Sequence, residues 1–410
     1  IRIGSFKDGQ KITLEQGDTF ILTADDTFQG TQEKVSVTYP ELIKDLQVGH
    51  HLFVDDGNVR LDVVAKSDME ATCTVAVGGV ISDHKGMNLP VTKLSLPALT
   101  PKDLEDAEVG VECSIDFLAM SFVSNADEVN GLRQFLADRD ASHIHIISKI
   151  ERSTAVDAID DIVLASDVVM VARGDLGVEI GIEKVPEVQK LIIRTANRHI
   201  RPVIVATHML ESMITKKVAT RAEVSDVANA IYDRCDAVML SGETAVGVDP
   251  ANAIAVMRRI CEATDAHKAE IKHMRYSQVR RVFEMTSQAT SFCKAADQIC
   301  DENDADMMIA FTSSGNTALI ASKLNPVVPI IASSDDDHVC RRLSMYRGVI
   351  PLKLPKPFSK IPGWSEMIDL AVDDAKRREL LKTGDLVVIT AGYPIGRPGG
   401  TNSIRMMEVS

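Results

Sequence analysis

The strongest constraint on this chain is an alternation of short apolar runs and helix-like stretches from residue 99 to about residue 265. The runs F-L-A-M-S-F, H-I-I-S-K, V-V-M-V-A-R-G-D, P-V-I-V-A-T and A-V-M-L-S-G end near Ser121, Lys149, Asp175, Thr207 and Gly242. Successive ends fall about 26 to 35 residues apart, which is the length of one strand, one helix and their connections. Helical periodicity fills the gaps at Glu128–Arg139, Pro186–Arg198, Val224–Tyr232 and Asn252–Ala266. Repeated βα units build a parallel barrel whose reactive groups gather at the carboxyl ends of the strands. The predicted class is therefore α/β, a (β/α)8 TIM barrel. Five units are legible, so the N-terminal strands are expected to be absent from this chain.

Two further regions flank these units. Residues 2–84 carry short alternating runs separated by D-G-Q, Q-G-D, V-G-H and D-D-G-N, which are turn signals. They predict a small inserted β-barrel domain. Ile1, in I-R-I-G, reads as the end of the third barrel strand. The barrel itself is expected over 85–270. From 271 to 410 the alternation resumes with different spacing and predicts a C-terminal α/β sandwich domain.

Composition narrows the function. A formal charge of −14 over 410 residues excludes nucleic acid and an anionic membrane surface as natural partners. Any anionic substrate must be met by local positive charge or by a metal. No apolar run is long enough to span a bilayer and no secretory signal is evident. Seven cysteines without a C-x-x-C pair are expected to be free thiols, in keeping with a cytoplasmic location.

Alternation places Lys149 and Glu151 on one side of a strand end. Alone, K-x-E is commonly a surface ion pair and R-G-D commonly a turn. At the ends of adjacent barrel strands, Glu151 and Asp175 could share a divalent cation, because Mg²⁺ is usually held by one or two carboxylates plus substrate oxygens. Lys149 would then offset charge on a phosphoryl group in transfer. Thr207 ends its strand at the same mouth, where the ordinary reading is a helix cap. The segment Thr312-Ser313-Ser314-Gly315-Asn316-Thr317 gathers hydroxyls and amides before a helix, which is either a plain cap or a phosphate cradle.

I-S-K-I-E and V-M-V-A-R-G-D-L-G-V-E-I, with V-A-T-H-M-L-E-S-M-I, T-R-A-E-V-S-D-V-A-N-A and D-A-V-M-L-S-G-E-T-A, resemble the pyruvate kinase family, and the likeness runs through essentially the whole chain. The resemblance implies transfer of phosphate from phosphoenolpyruvate to ADP, giving pyruvate and ATP. It makes Glu151 and Asp175 the ligands of Mg²⁺ (or Mn²⁺) and Lys149 the group that stabilises the moving phosphoryl. Thr207 becomes a proton-relay residue near the methylene carbon. Gly174 offers its backbone to the substrate carboxylate, with Ser121 on the phosphate side. The 2–84 module becomes a lid, with Asp55 in its acidic turn and Lys85 in its hinge facing the nucleotide. The 312–317 loop, with Arg397 and Gly399 on a second wall, would bind a sugar- or nucleotide-monophosphate effector as an allosteric activator. A homotetramer is implied.

The chain departs from the family pattern at several places. His208 stands where glutamine is expected, and Arg234 where glycine is usual. The family's N-terminal phosphate-gripping arginine and most ligands for K⁺ cannot be assigned, so the chain as given is expected to lack part of its active site. Ile3 stands where potassium-dependent members tend to have threonine, which favours potassium independence. Two rivals remain: a Mg²⁺-dependent lyase or aldolase of an α-keto acid, and a non-catalytic regulatory subunit.

Overall fold

A computed structural model describes residues 1–55, 57–90, 92, 99–275, 287–394 and 400–410. Strands Phe117–Met120, His145–Ile150, Val168–Ala172, Val203–Ala206 and Ala237–Met239 are parallel and lie side by side in chain order. Sequential order with a helix after each strand is the βα alternation read from the sequence. Every residue of Val168–Ala172 and Val203–Ala206 is buried, as central parallel strands require. Their helices are fixed by local chemistry. Asn125 caps Ala126–Ala137, and Thr220 with Glu223 forms a reciprocal capping box on Arg221–Tyr232. Glu223 also accepts from the Ser212 amide and hydroxyl, both at 2.6 Å, so it braces its own loop.

The strands between Ile12 and Asn88 build a β module. Its six-stranded sheet runs in the order Lys34–Ser36, Thr19–Thr23, Glu70–Val77, Val59–Lys66, His51–Val54, Met87–Asn88, and Ile12–Leu14 pairs separately with Gly79–Ile81. Alternate residues Val59, Leu61 and Val63 and their neighbours Ala71, Cys73 and Val75 point into one core with Phe20 and Leu52. Residues 1–3 join the β module at its neck. Arg2 bridges Gly86, Ile3 bridges Val37, and Ile3 is fully buried in the core of the β module. The Ile3 amide donates to Lys85 O and the Met87 amide to Ile1 O, both at 3.0 Å. The two chain crossings thus make a paired neck.

The last region is a five-stranded sheet in the order Val349–Lys353, Ile330–Ser334, Met307–Phe311, Leu386–Gly392, Thr401–Glu408, with only the final pair antiparallel. Apolar clusters cover both faces, around Met308 and Ala310 on one side and Ile309 and Phe311 on the other. No described helix is long and apolar enough to cross a membrane.

This sheet is bolted to the amino-terminal end of the barrel strands. Lys323 Nζ lies 2.5 Å from Asp236 Oδ2 with both side chains almost wholly buried, and it also donates to Asn197 Oδ1 at 2.8 Å. Arg234, in the position where the family pattern has glycine, adopts φ +74, a left-handed conformation that disfavours side chains. Its guanidinium donates to Lys323 O at 2.6 Å, a contact glycine could not make. Breaking a buried ion pair strands the remaining charge. Asp236→Ala is expected to destabilise the protein by about 3–5 kcal/mol, read from the denaturant midpoint of unfolding.

Candidate active site at the carboxyl ends of the barrel strands

Lys149 is the penultimate residue of its strand, and Glu151 follows the strand's last residue. Their side chains meet: Lys149 Nζ is 2.6 Å from Glu151 Oε1, and it donates to Ser121 Oγ at 2.9 Å from the neighbouring strand end. Glu151 is fully buried while a quarter of Lys149 remains exposed. The Phe122 amide donates to Glu151 Oε2 at 2.6 Å. The two carboxylate oxygens thus face different partners, Oε1 the Lys149 ammonium and Oε2 the Phe122 amide. Burial pushes the Glu151 carboxyl above its usual range, offset in part by Lys149 and the Phe122 amide, with the Asp175 charge adding to the rise.

Strand Val168–Ala172 passes directly into helix Arg173–Ile180. R-G-D, read from sequence as a strand end, is therefore the first turn of a helix. Asp175 accepts from Asn88 Nδ2 at 3.0 Å, a contact from the neck of the β module. Gly174 gives its amide to Thr207 Oγ1 at 2.9 Å, so that amide is engaged within the protein rather than free for a substrate carboxylate. A methyl placed on Gly174 would make only ordinary contacts, 3.5 Å to His208 and 3.6 Å to Thr207. Thr207 and His208 both adopt left-handed backbone, at φ +67 and +53. For a β-branched residue this is a true outlier, of the kind that costs about 1–3 kcal/mol and collects at functional sites. Arg173 contacts the carbonyls of both residues. Arg173 and Asn88 went unnoticed in the sequence, where neither residue type nor spacing distinguishes them.

The β module leans on the same helix. A Cβ on Gly57 would meet Val178 at 3.4 Å, so the turn after Asp55 packs against the helix carrying Asp175. Lys85 Nζ and Asp55 Oδ1 pair at 2.7 Å across the neck. Burial raises the Asp55 carboxyl, but hydrogen bonds from Lys85 and Asn58 bring it below its ordinary value. Asp56 lies outside the described residues. A cavity of about 350 Å³ opens beside the strand ends, lined by Asn88, Thr100, Ser121, Phe122, Arg152 and Glu179 among others.

Among the described residues, no group of three or more His, Cys, Asp or Glu side chains forms a ready-made metal cage. Two carboxylates close enough for the Asp175 charge to act on Glu151 suit a hard cation that completes its shell with substrate and water oxygens. They do not suit a closed zinc site.

In the C-terminal sheet, Thr312 and Thr317 are buried and committed. Thr312 Oγ1 accepts from the Gly315 amide at 2.9 Å, and Thr317 Oγ1 lies 2.7 Å from Thr401 Oγ1. Ser313, Ser314 and Asn316 are more open, and Gly315 takes φ +91 at the start of helix Asn316–Leu324. Arg397 and Gly399 lie outside the described residues.

A lysine, a buried acid and a strained threonine lie at the carboxyl ends of parallel strands, the end at which barrel enzymes carry their active sites. Family models agree in detail: "Pyruvate kinase, barrel domain" matches residues 1–254 and "Pyruvate kinase, alpha/beta domain" matches residues 290–407. The pyruvate kinase of Geobacillus stearothermophilus is 42% identical over 412 residues, covering 100% of this chain and 69% of that protein. That of Methylorubrum extorquens is 40% identical over 410 residues, covering 100% and 83%. A crystal structure of a pyruvate kinase from Cryptosporidium parvum superposes with a TM-score of 0.86 at 34% identity, covering 100% of this chain and 82% of that one. The chain belongs to the pyruvate kinase family and is a phosphotransferase. The expectation that barrel strands are missing from the front gains no support from these matches.

Outer partners of metal ligands tune affinity by about 10–100-fold. If Asp175 ligates a metal in the role proposed below, Asn88→Ala is expected to weaken Mn²⁺ binding by about 10–100-fold, measured by electron paramagnetic resonance titration on the folded protein.

Proposed function

We propose that the chain transfers the phosphoryl group of phosphoenolpyruvate to ADP, yielding pyruvate and ATP, at the mouth described above. The observation that carries this reading is the Ser121–Lys149–Glu151 constellation, a buried carboxylate and a partly exposed ammonium in contact at the strand ends, in a member of this family. The bond between phosphorus and the enol oxygen breaks, and a bond to the terminal phosphate oxygen of ADP forms. The resulting enolate takes a proton at its methylene carbon and becomes the methyl group of pyruvate.

Each residue has a physical task. Lys149 offsets the charge on the phosphoryl oxygens during transfer, aided by Ser121 on the phosphate side. Glu151 and Asp175 hold Mg²⁺ (or Mn²⁺), which when bound neutralises phosphate and enolate charge. Gly174 lets the substrate carboxylate approach the start of its helix. Thr207, a poor acid on its own, orients a water that delivers the proton. Asp55 and Lys85 meet the nucleotide when the β module closes as a lid, and water exclusion protects the phosphoryl group from hydrolysis. Residues 2–84, 85–270 and 271–410 serve as lid, catalytic and effector domains. The protein acts as a cytoplasmic homotetramer.

The loop from Thr312 to Thr317, with Arg397 and Gly399, binds a phosphorylated sugar or nucleotide that activates the enzyme. Its exposed Ser314 and Asn316 and half-buried Ser313 offer the polar groups, while Thr312 and Thr317 shape the loop.

Lys149→Met is expected to reduce pyruvate formation by about 10²–10³-fold while leaving Mn²⁺ binding and the folded state intact. Near-normal turnover would remove Lys149 from the mechanism. Isothermal titration should detect AMP or ribose 5-phosphate in preference to fructose 1,6-bisphosphate, and Ser314→Glu should abolish that binding. Absence of heat with all three compounds would end the effector assignment.

A further inference from the structure

We infer that Arg173 and Asp226 are a positioning pair for Thr207, holding its hydroxyl where the enolate is protonated. The inference rests on the proton role proposed for Thr207. Thr207 and His208 are consecutive non-glycine residues in left-handed backbone, an arrangement that relaxes unless something holds it.

The hold is the Arg173 guanidinium. Its Nε and Nη2 donate to Thr207 O at 3.1 and 2.7 Å, and Nη2 also donates to His208 O at 3.0 Å. Met209 Sδ lies 2.8 Å from the same nitrogen. The opposite edge, Nη1, donates to both Asp226 oxygens at 2.8 and 2.6 Å. The side chain is only 9% exposed, so these partners and not water fix its plane. A lysine ammonium can replace the charge but not this fork.

The hydroxyl is fixed by the same turn of helix. Thr207 Oγ1 donates to Ala206 O at 2.7 Å and accepts from the Gly174 amide at 2.9 Å, one residue beyond Arg173. With the proton directed at a carbonyl and one lone pair taken, the other lone pair is left to orient a water. Backbone and side chain of Thr207 are therefore both set by Arg173-Gly174, and Asp226 keeps Arg173 in place. Neither Arg173 nor Asp226 is assigned a contact with the reacting atoms, so both act through Thr207.

Two assays on the full chain with Mg²⁺ separate the steps. One follows ATP formation from phosphoenolpyruvate and ADP. The other follows exchange of pyruvate methyl protons into D₂O by NMR in the presence of ATP, which reads the proton step. Asp226→Asn is expected to slow methyl exchange by about 100-fold, the scale of an ångström-sized misplacement, while ATP formation falls clearly less and Mn²⁺ affinity is unchanged. Arg173→Lys should give the same split and stands in if the first variant does not fold. Equal losses in both assays, unchanged exchange, or loss of the folded state in both variants would assign the pair to structure alone and overturn the inference. Thr207→Ala tells the two levels apart. If it leaves exchange intact, the proton role of Thr207 fails and the inference falls with it. If it abolishes exchange while Asp226→Asn and Arg173→Lys do not, the role stands and the pair does not.

Discussion

Three consecutive residues leave the first turn of helix Arg173–Ile180 in three directions, and the site depends on where they go. Arg173 crosses to the carbonyls of Thr207 and His208 and continues to Asp226. Gly174 gives its amide to the Thr207 hydroxyl, and Asp175 receives the Asn88 amide from the neck of the β module. One helical turn therefore ties two strand ends, a further helix and the neck together. It can do so because strand Val168–Ala172, which launches it, lies in the middle of the sheet with every residue buried. A strand so enclosed has no slack, and its orientation passes directly to the turn.

The electrostatics follow from that rigidity. A chain of net charge −14 repels phosphate at long range, so attraction must be local. Lys149 supplies it at the mouth, beside a carboxylate that burial alone would prefer neutral. Such a pair is tolerable because Ser121 and the Phe122 amide share the charges. At the other end of the strands a second buried pair, Lys323 with Asp236, fastens the C-terminal sheet. Helix Asn316–Leu324 carries Lys323 near its end and the 312–317 loop at its start. Arg234 adds a contact to that helix from a backbone position that glycine would occupy without strain.

Much of this was legible in the residues. The switch from two-residue alternation to βα spacing marked the β module and the barrel strands, because period and turn chemistry are local properties. Lys149 and Glu151 could be paired from their spacing, since alternate strand residues share a face. The R-G-D turn was read as a strand end, yet it begins a helix. Three residues carry no helical period, and Ala172 turns the chain only once the strand is fixed in the sheet. Where the barrel gives way to the β module near Ile1 is less legible, because alternation does not say which sheet a strand joins; Arg2 and Ile3 bridge Gly86 and Val37.

By itself the sequence determined the order of elements, the family and the types of group available for chemistry, since periodicity, turn signals and long motifs are written along the chain. Tertiary structure decided which groups meet. Arg173 and Asp226 stand 53 residues apart, and Asn88 and Asp175 stand 87 apart. The left-handed backbone of Thr207 and His208 is unfavourable locally and persists only under contacts from elsewhere. Partners across such distances are chosen by strand register and helix packing, which no single stretch of residues contains.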